Sequence, residues 1–227
     1  MNPPTIGTLH EGALHRAIKR WLARPGDRFE QPVDGYVIDM VRGDLLIEVQ
    51  TGGCTPLRKK LTDLLQRHRV RLVIPLARTR TIERVGPDGT RLSIRRAPDE
   101  GRIEDVFERL VSIPALVTHE RFELELLVIA EREQRARMPG HARRRRAFGV
   151  KERELVDVLE RELIRGVIDL AALLPCGLAE TFTSLDVARA SALPRITAQQ
   201  MIYCLRLAGA LERVGTRARS HLYRRVA

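Results

Sequence analysis

Residues 37–51 read Val-Ile-Asp-Met-Val-Arg-Gly-Asp-Leu-Leu-Ile-Glu-Val-Gln-Thr, which sets two carboxylates and an amide inside otherwise apolar strands. A carboxylate is costly to bury unless something pairs with it, so the fold must bring a cation or hydrogen-bond donors to Asp39 and Glu48. Leu45, Ile47 and Val49 alternate with Leu46, Glu48 and Gln50, the period of a strand, and β-branched residues support the assignment. With Arg42-Gly43 as a two-residue hairpin loop, Val41 lies opposite Asp44, Met40 opposite Leu45 and Asp39 opposite Leu46. Asp39 and Glu48 are then diagonal neighbours on one face, roughly 7 Å apart, able to converge on one hard cation. The alternative is an ordinary hairpin whose solvated face carries both acids.

The flanking segments predict helices. Leu14, Ile18, Trp21 and Leu22 form the apolar stripe of a helix over about 8–23, with Glu11 at its edge, where an acid is also stabilised by the helix dipole alone. His15, one turn beyond Glu11, is a candidate phosphate contact or a structural histidine. After the break at Thr51-Gly52-Gly53, Thr55 suits an N-cap and Pro56 a first helical position, and Leu57, Leu61, Leu64 and Leu65 give the stripe. Arg58, Lys59 and Lys60 occupy the first turn, which the dipole disfavours; a bound phosphate would offset that, and a solvated basic face is the plainer account. Val70–Pro75 predicts a strand, 78–97 a hairpin turning at Gly86-Pro87-Asp88-Gly89, 103–112 a helix and Phe122–Ile129 a strand.

The spacing Asp-x8-Glu-x-Gln, in the order helix, three strands, helix, strand, resembles the core of the PD-(D/E)XK (restriction endonuclease-like) nuclease superfamily. The resemblance implies an α/β (α+β) core with a mixed sheet flanked by helices. It implies Mg²⁺ (or Mn²⁺) on Asp39, Glu48 and the backbone carbonyl of Val49, with Glu11 serving a second ion or water. In that family a Lys two residues beyond the Glu positions the attacking water. Here Gln50 holds that place, as in some restriction endonucleases, and Lys59 or Lys60 would supply the missing charge from the neighbouring helix.

Charge is uneven along the 227 residues. From Arg137 onward there are 17 basic and 9 acidic residues, so that part holds +8 of the net +11. It opens with Arg143, Arg144, Arg145 and Arg146 in a Pro/Gly-bounded stretch, 137–149, that reads as a basic linker between a nuclease-like domain, 1–136, and a second domain, 150–227. Arg-rich composition throughout the chain explains the residue type but not the clustering. Cys54, Cys176 and Cys204 have no paired spacing, which points away from disulfides and zinc. No apolar run has membrane-spanning length and no signal peptide is apparent, so a cytoplasmic protein with no membrane partner is expected.

Residues 150–227 resemble the winged helix-turn-helix superfamily, a mainly α domain. Leu155, Val158, Leu159 and Leu163 predict its first helix. A short helix capped by Thr183 or Ser184 follows, then a third helix over Arg195–Ala208 closed by Gly209, and two strands around Gly215–Ser220. The resemblance implies that Arg195, Thr197, Gln199 and Gln200 reach base edges, while Arg217 and Arg219 at the wing hold phosphates. Together the two halves predict a metal-dependent endonuclease anchored on duplex DNA, with a homodimer as the arrangement suited to double-strand cutting. The order is similar to that of the endonuclease subunit of a class of transposases. The alternative is a non-catalytic DNA-binding regulator or scaffold with a degenerate nuclease fold, favoured by Gln50. An RNA-processing nuclease fits less well, since aromatics are only 4% of the chain.

Overall fold

The computed structural model describes residues 12–98, 100–137 and 148–226. Helix α1 (Ala13–Leu22) leads into a meander of β1 (Arg28–Val33), β2 (Tyr36–Arg42) and β3 (Leu45–Val49). After α2 (Arg58–Leu65), a long strand β4 (Arg69–Val85) turns back as β5 (Arg91–Arg96). Then come α3 (Val106–Leu110), β6 (Phe122–Arg137) and β7 (Phe148–Ile164). The strands form one mixed sheet in the order β1-β2-β3-β4-β6-β7, with β5 alongside the outer half of β4. The pairs β3/β4 and β4/β6 are parallel. This is a mixed α+β architecture with a large sheet flanked by helices.

The central strands are apolar on both faces because helices cover both. On one face Leu14, Ile18 and Leu22 of α1 pack against Met40, Ile47, Val49, Val73, Leu127 and Ile129. On the other, Leu61, Leu64 and Leu65 of α2 and Phe107 and Leu110 of α3 pack against Ile38, Leu46, Leu72 and Ile74. Trp21 was expected in the α1 stripe, yet it is 45% exposed. The helix is rolled so that His15 and Lys19 meet Asp39, which moves the buried arc away from Trp21.

The largest correction concerns 150–163, which is not a helix but most of β7, paired antiparallel along β6. The register shifts at Val128/Ile129 and Ala130/Glu131 leave Leu159 and Val156 without partners. Each bulge adds one residue, so Leu155 and Val158 reach the same face at a separation of three. Bulges thus reproduce the apolar spacing of a helix. The expected boundary falls with it: the sheet continues to Ile164, and Arg137, Phe148 and Gly149 of the expected linker are paired strand residues. Arg143, Arg144, Arg145 and Arg146 lie outside the described residues.

The face of β6 that carries Leu127 and Ile129 also carries Glu123, Glu125, Glu131 and Glu133, all buried. Arginines from both neighbouring strands, and Arg135 of β6 itself, neutralise them. Arg71 bridges Glu123 and Glu125 at 2.5 and 3.1 Å, Arg161 meets Glu125 at 2.5 Å, and Arg135 meets Glu133 at 2.6 Å. Arg80 pairs with Glu131. These ion pairs flank the patch beneath α1 and hold the long β4, β6 and β7 in one register.

Beyond the sheet follow α4 (Val167–Ala171), β8 (Thr181–Phe182), α5 (Ser184–Ser191), α6 (Arg195–Leu207), β9 (Leu211–Arg217) and β10 (Ser220–Arg225). Thr183 caps α5 in a reciprocal box with Asp186, as its sequence suggests. The last three strands form a small sheet in the order β8-β10-β9. This part is not suspended on a tether: Met201, Cys204 and Leu205 of α6 share one buried cluster with Phe107 and Leu110 of α3.

Candidate functional site

The two acids of the opening motif come to neighbouring positions, by a register two residues from the expected one. Arg42 pairs with Leu45, Val41 with Leu46 and Met40 with Ile47, so the loop is Gly43-Asp44. Gly43 takes φ +57 at the first loop position, which favours glycine and explains the shift. Continued one position past the ladder, the same register brings the Asp39 backbone to the Glu48 side chain. The ladder of β2 and β3 ends at Met40/Ile47, and beyond it the two side chains satisfy the backbone. Asp39 Oδ2 accepts from the Val49 N–H at 2.8 Å, and Glu48 Oε1 accepts from the Asp39 N–H at 3.4 Å.

Both flanking helices send cations to this point. From α1, His15 Nε2 lies 3.1 Å from Asp39 Oδ2 and Lys19 Nζ 3.9 Å from Asp39 Oδ1, and Lys19 also pairs with Glu30. From α2, Lys60 Nζ sits 2.6 Å from Glu48 Oε1 and donates to the Val37 carbonyl at 2.6 Å. The residue adjacent to it behaves differently. Lys59 is solvated and pairs with Asp63 and the Tyr36 hydroxyl. Of the two candidate lysines, only Lys60 therefore reaches the acids. Helical geometry explains the division, since adjacent residues face about 100° apart. Pro56 opens a single tight turn, Thr55–Leu57, ahead of α2, and Thr55 makes no cap.

Gln50 does not join the acids. Its amide donates to the Gly53 carbonyl at 2.6 Å, closing the loop after β3. Arg109 of α3 secures the same loop, donating to the Gln50 and Gly52 carbonyls at 3.3 and 3.1 Å. Burial pulls its guanidinium below the usual arginine value. Nothing in the sequence near Arg109 signalled this role, because the contact joins positions 57 residues apart. Glu11 lies outside the described residues.

The two acids differ in protonation. Burial acts to raise Asp39, but the hydrogen bond and charge of His15, the Val49 N–H and Lys19 together hold it below the ordinary carboxylate range. Glu48 is pushed up to about 7, first by burial and then by the charge of Asp39, against the pull of Lys60. A folded value above the unfolded 4.5 means that folding takes up a proton between the two. The stabilisation is complete below pH 4.5 and is lost as the pH rises to about 7, a change of roughly 3 kcal/mol. In metal-free buffer, the apparent Tm of the wild type should fall over this window more steeply than that of Glu48→Gln. Parallel profiles would show that Glu48 is not a buried, proton-binding group.

The donor set suits a hard divalent cation: two carboxylates on diverging strands, one of them raised first by burial and then by the charge of the other, a cost that a bound cation would reduce. Among the described residues no group of three or more His, Cys, Asp or Glu is placed to hold a metal. Further oxygen ligands would have to come from backbone carbonyls, water or substrate.

The predicted nucleic-acid contacts separate into two sets. Arg195 and Gln199 are exposed on α6 and Gln200 partly so, but Thr197 is 7% exposed and packs inward, so it cannot reach a ligand. Arg217 forms an ion pair with Asp186 of α5. The turn of the β9–β10 hairpin is shorter than expected, two residues with Ala218 at φ +54, and it leaves Arg219 exposed at the tip.

Residues 12–165 match the sequence profile described as Domain of unknown function (DUF8091). The chain belongs to the DUF8091 family. The DUF8091 region runs from α1 to the end of β7, so it contains the whole large sheet and the Asp39/Glu48 site while ending before α4. A protein of Treponema pallidum (strain Nichols), named only as an uncharacterized protein, is 29% identical over 222 residues. That match spans 97% of this chain and 88% of the relative, so the likeness extends past the DUF8091 region into the last helices and strands. No solved structure matches the chain. No helix among the described residues is long and apolar enough to cross a membrane.

Proposed function

We propose that this DUF8091 protein is a Mg²⁺-dependent DNA endonuclease of the PD-(D/E)XK type, held on duplex DNA by a C-terminal winged helix. The observation that carries the proposal is the pairing of Lys60 with Glu48 opposite Asp39. An acid pair with a lysine from the next helix is the arrangement left when the lysine of the strand motif is replaced by Gln50. Asp39 and Glu48 would hold the cation, which lowers the pKa of a bound water and stabilises charge on the phosphoryl group. Lys60 orients the water against the phosphate and helps keep Glu48 ionised. His15 and Lys19 keep Asp39 ionised and facing the gap between the strands.

The winged-helix part of the proposal draws on the order α4, β8, α5, α6, β9, β10 and on the β8-β10-β9 sheet. In that arrangement α6 would enter the major groove with Arg195, Gln199 and Gln200 at its start, and Arg219 would touch the backbone from the hairpin tip. Cutting both strands would require two copies of the site, so a homodimer belongs to the proposal. The second reading, a DNA-binding protein without catalysis, is favoured by the Gln50 amide, which is engaged with Gly53 and not with the acids.

Supercoiled plasmid DNA separates the two. The endonuclease should convert it to open-circular or linear form with Mg²⁺ or Mn²⁺ and leave it intact with a chelator. Retarded but uncut plasmid in both metals would select the non-catalytic reading.

A further inference from the structure

A groove of about 550 Å³ opens between α6 and the β9–β10 hairpin. Arg195, Arg206, Arg213 and Arg219 line it, and among the described residues no carboxylate does. On α6, Arg195, Gln199, Tyr203 and Arg206 recur at intervals of four, four and three, so they form one stripe facing the hairpin. On β10, His221 and Tyr223 share a face, with their rings edge to face at 6.4 Å. Tyr223 lies across from Arg213 of β9. Two of the three tyrosines in the chain thus stand in this groove, and Tyr203 is 43% exposed.

Four guanidinium groups without an acid between them repel one another, and a polyanion relieves that repulsion. Tyr223 packs in part against the core, but phosphates alone would leave the exposed Tyr203 ring without a use. Paired bases are already stacked on their neighbours and offer these rings no open face, whereas bases of a single strand do. Arg217 marks the limit of the groove: paired with Asp186, it does not line this space.

We infer that the groove takes a single DNA strand, so that the protein engages the junction where one strand leaves a duplex. The inference rests on the proposed winged-helix anchoring and names its substrate more closely. α6 would read the duplex from its first turn while the departing strand lies between α6 and the hairpin, its phosphates on Arg206 and Arg213 and its bases against Tyr203, His221 and Tyr223. Low aromatic content made single strands a poor match for the sequence, but the fold gathers the few rings beside four arginines.

Fluorescence anisotropy with full-length protein in chelator tests this with three probes: a blunt duplex, the same duplex with a DNA tail of about ten nucleotides, and one with an RNA tail. The DNA-tailed duplex should bind about tenfold more tightly than the blunt one, the cost of losing one base-stacking platform. Tyr203→Ala should abolish that preference without changing blunt-duplex affinity, and Tyr203→Trp should retain it. Arg206→Ala/Arg213→Ala should reduce the salt dependence of tail binding by about 1.4 in log–log slope. Equal binding of blunt and tailed probes, or a Tyr203→Ala loss shared by both, overturns the inference while leaving duplex anchoring in place. Preference for the RNA tail overturns DNA as the strand. Failure to bind any probe removes the winged-helix reading and the inference together, whereas plasmid cleavage is scored separately.

Discussion

Glu48→Ala should lower metal-dependent plasmid cleavage by about 10³-fold, the equivalent of several kcal/mol of lost transition-state stabilisation, and leave duplex affinity unchanged. The change removes one of the two carboxylates that the described residues place at the divergence of β2 and β3, and with it one charged ligand of the cation site. Folding should survive, because the carboxyl is a burden on stability at neutral pH: burial and Asp39 push it up to about 7. Lys60→Ala makes a useful companion. It removes the nearest cation from Glu48, so the pH at which cleavage reaches half its plateau should move upward as well as the rate falling. A merely structural lysine would lower the rate without moving that midpoint. If Glu48→Ala protein cleaves as fast as wild type, the acid pair is not the catalytic site.

Arg71→Ala should destabilise the protein by about 3–5 kcal/mol, with a fall in Tm of roughly 10 °C, the largest effect expected from a single surface-distant charge. Arg71 bridges Glu123 and Glu125, and Glu125 is fully buried. Without Arg71, the ion pair left to Glu125 among the described residues is with Arg161, which approaches from the edge strand β7 and is itself partly exposed, while Arg42 acts on it at longer range. A buried carboxylate with half its partners removed must either protonate or draw water into the sheet, and both weaken the β4–β6 ladder. Joint replacement, Arg71→Met with Glu125→Leu, should recover most of the loss, because the penalty lies in the charge left behind and not in the missing attraction. Thermal unfolding of the single and double variants measures this directly. A single variant within 1 kcal/mol of wild type would show that water already reaches Glu125.

Several parts of this architecture were legible from local order. Strand alternation over Leu45–Val49, the apolar stripe of α2, the turn at 86–89 and the Thr183/Asp186 cap each depend on residues within a few positions of one another, and each appears in place. β7 was not legible, because two bulges gave Leu155, Val158 and Leu163 the spacing of a helix. A bulge is a property of the strand pair, set here by the register against β6, so no inspection of 150–163 alone exposes it.

The same division runs through the site. The sequence by itself determined that Asp39 and Glu48 sit on consecutive strands of a hairpin among apolar residues, and left open whether they share a buried partner or a solvated face. Tertiary structure decided which partners they have: His15 and Lys19 from one face, Lys60 instead of Lys59 or Gln50 from the other. It also decided that the final helices share a core with α3 instead of hanging from a linker. The physical reason is range. Strand period and turn preference act over two to four residues, whereas the roll of a helix over a sheet and the choice of a salt-bridge partner are settled by packing between segments far apart in the chain.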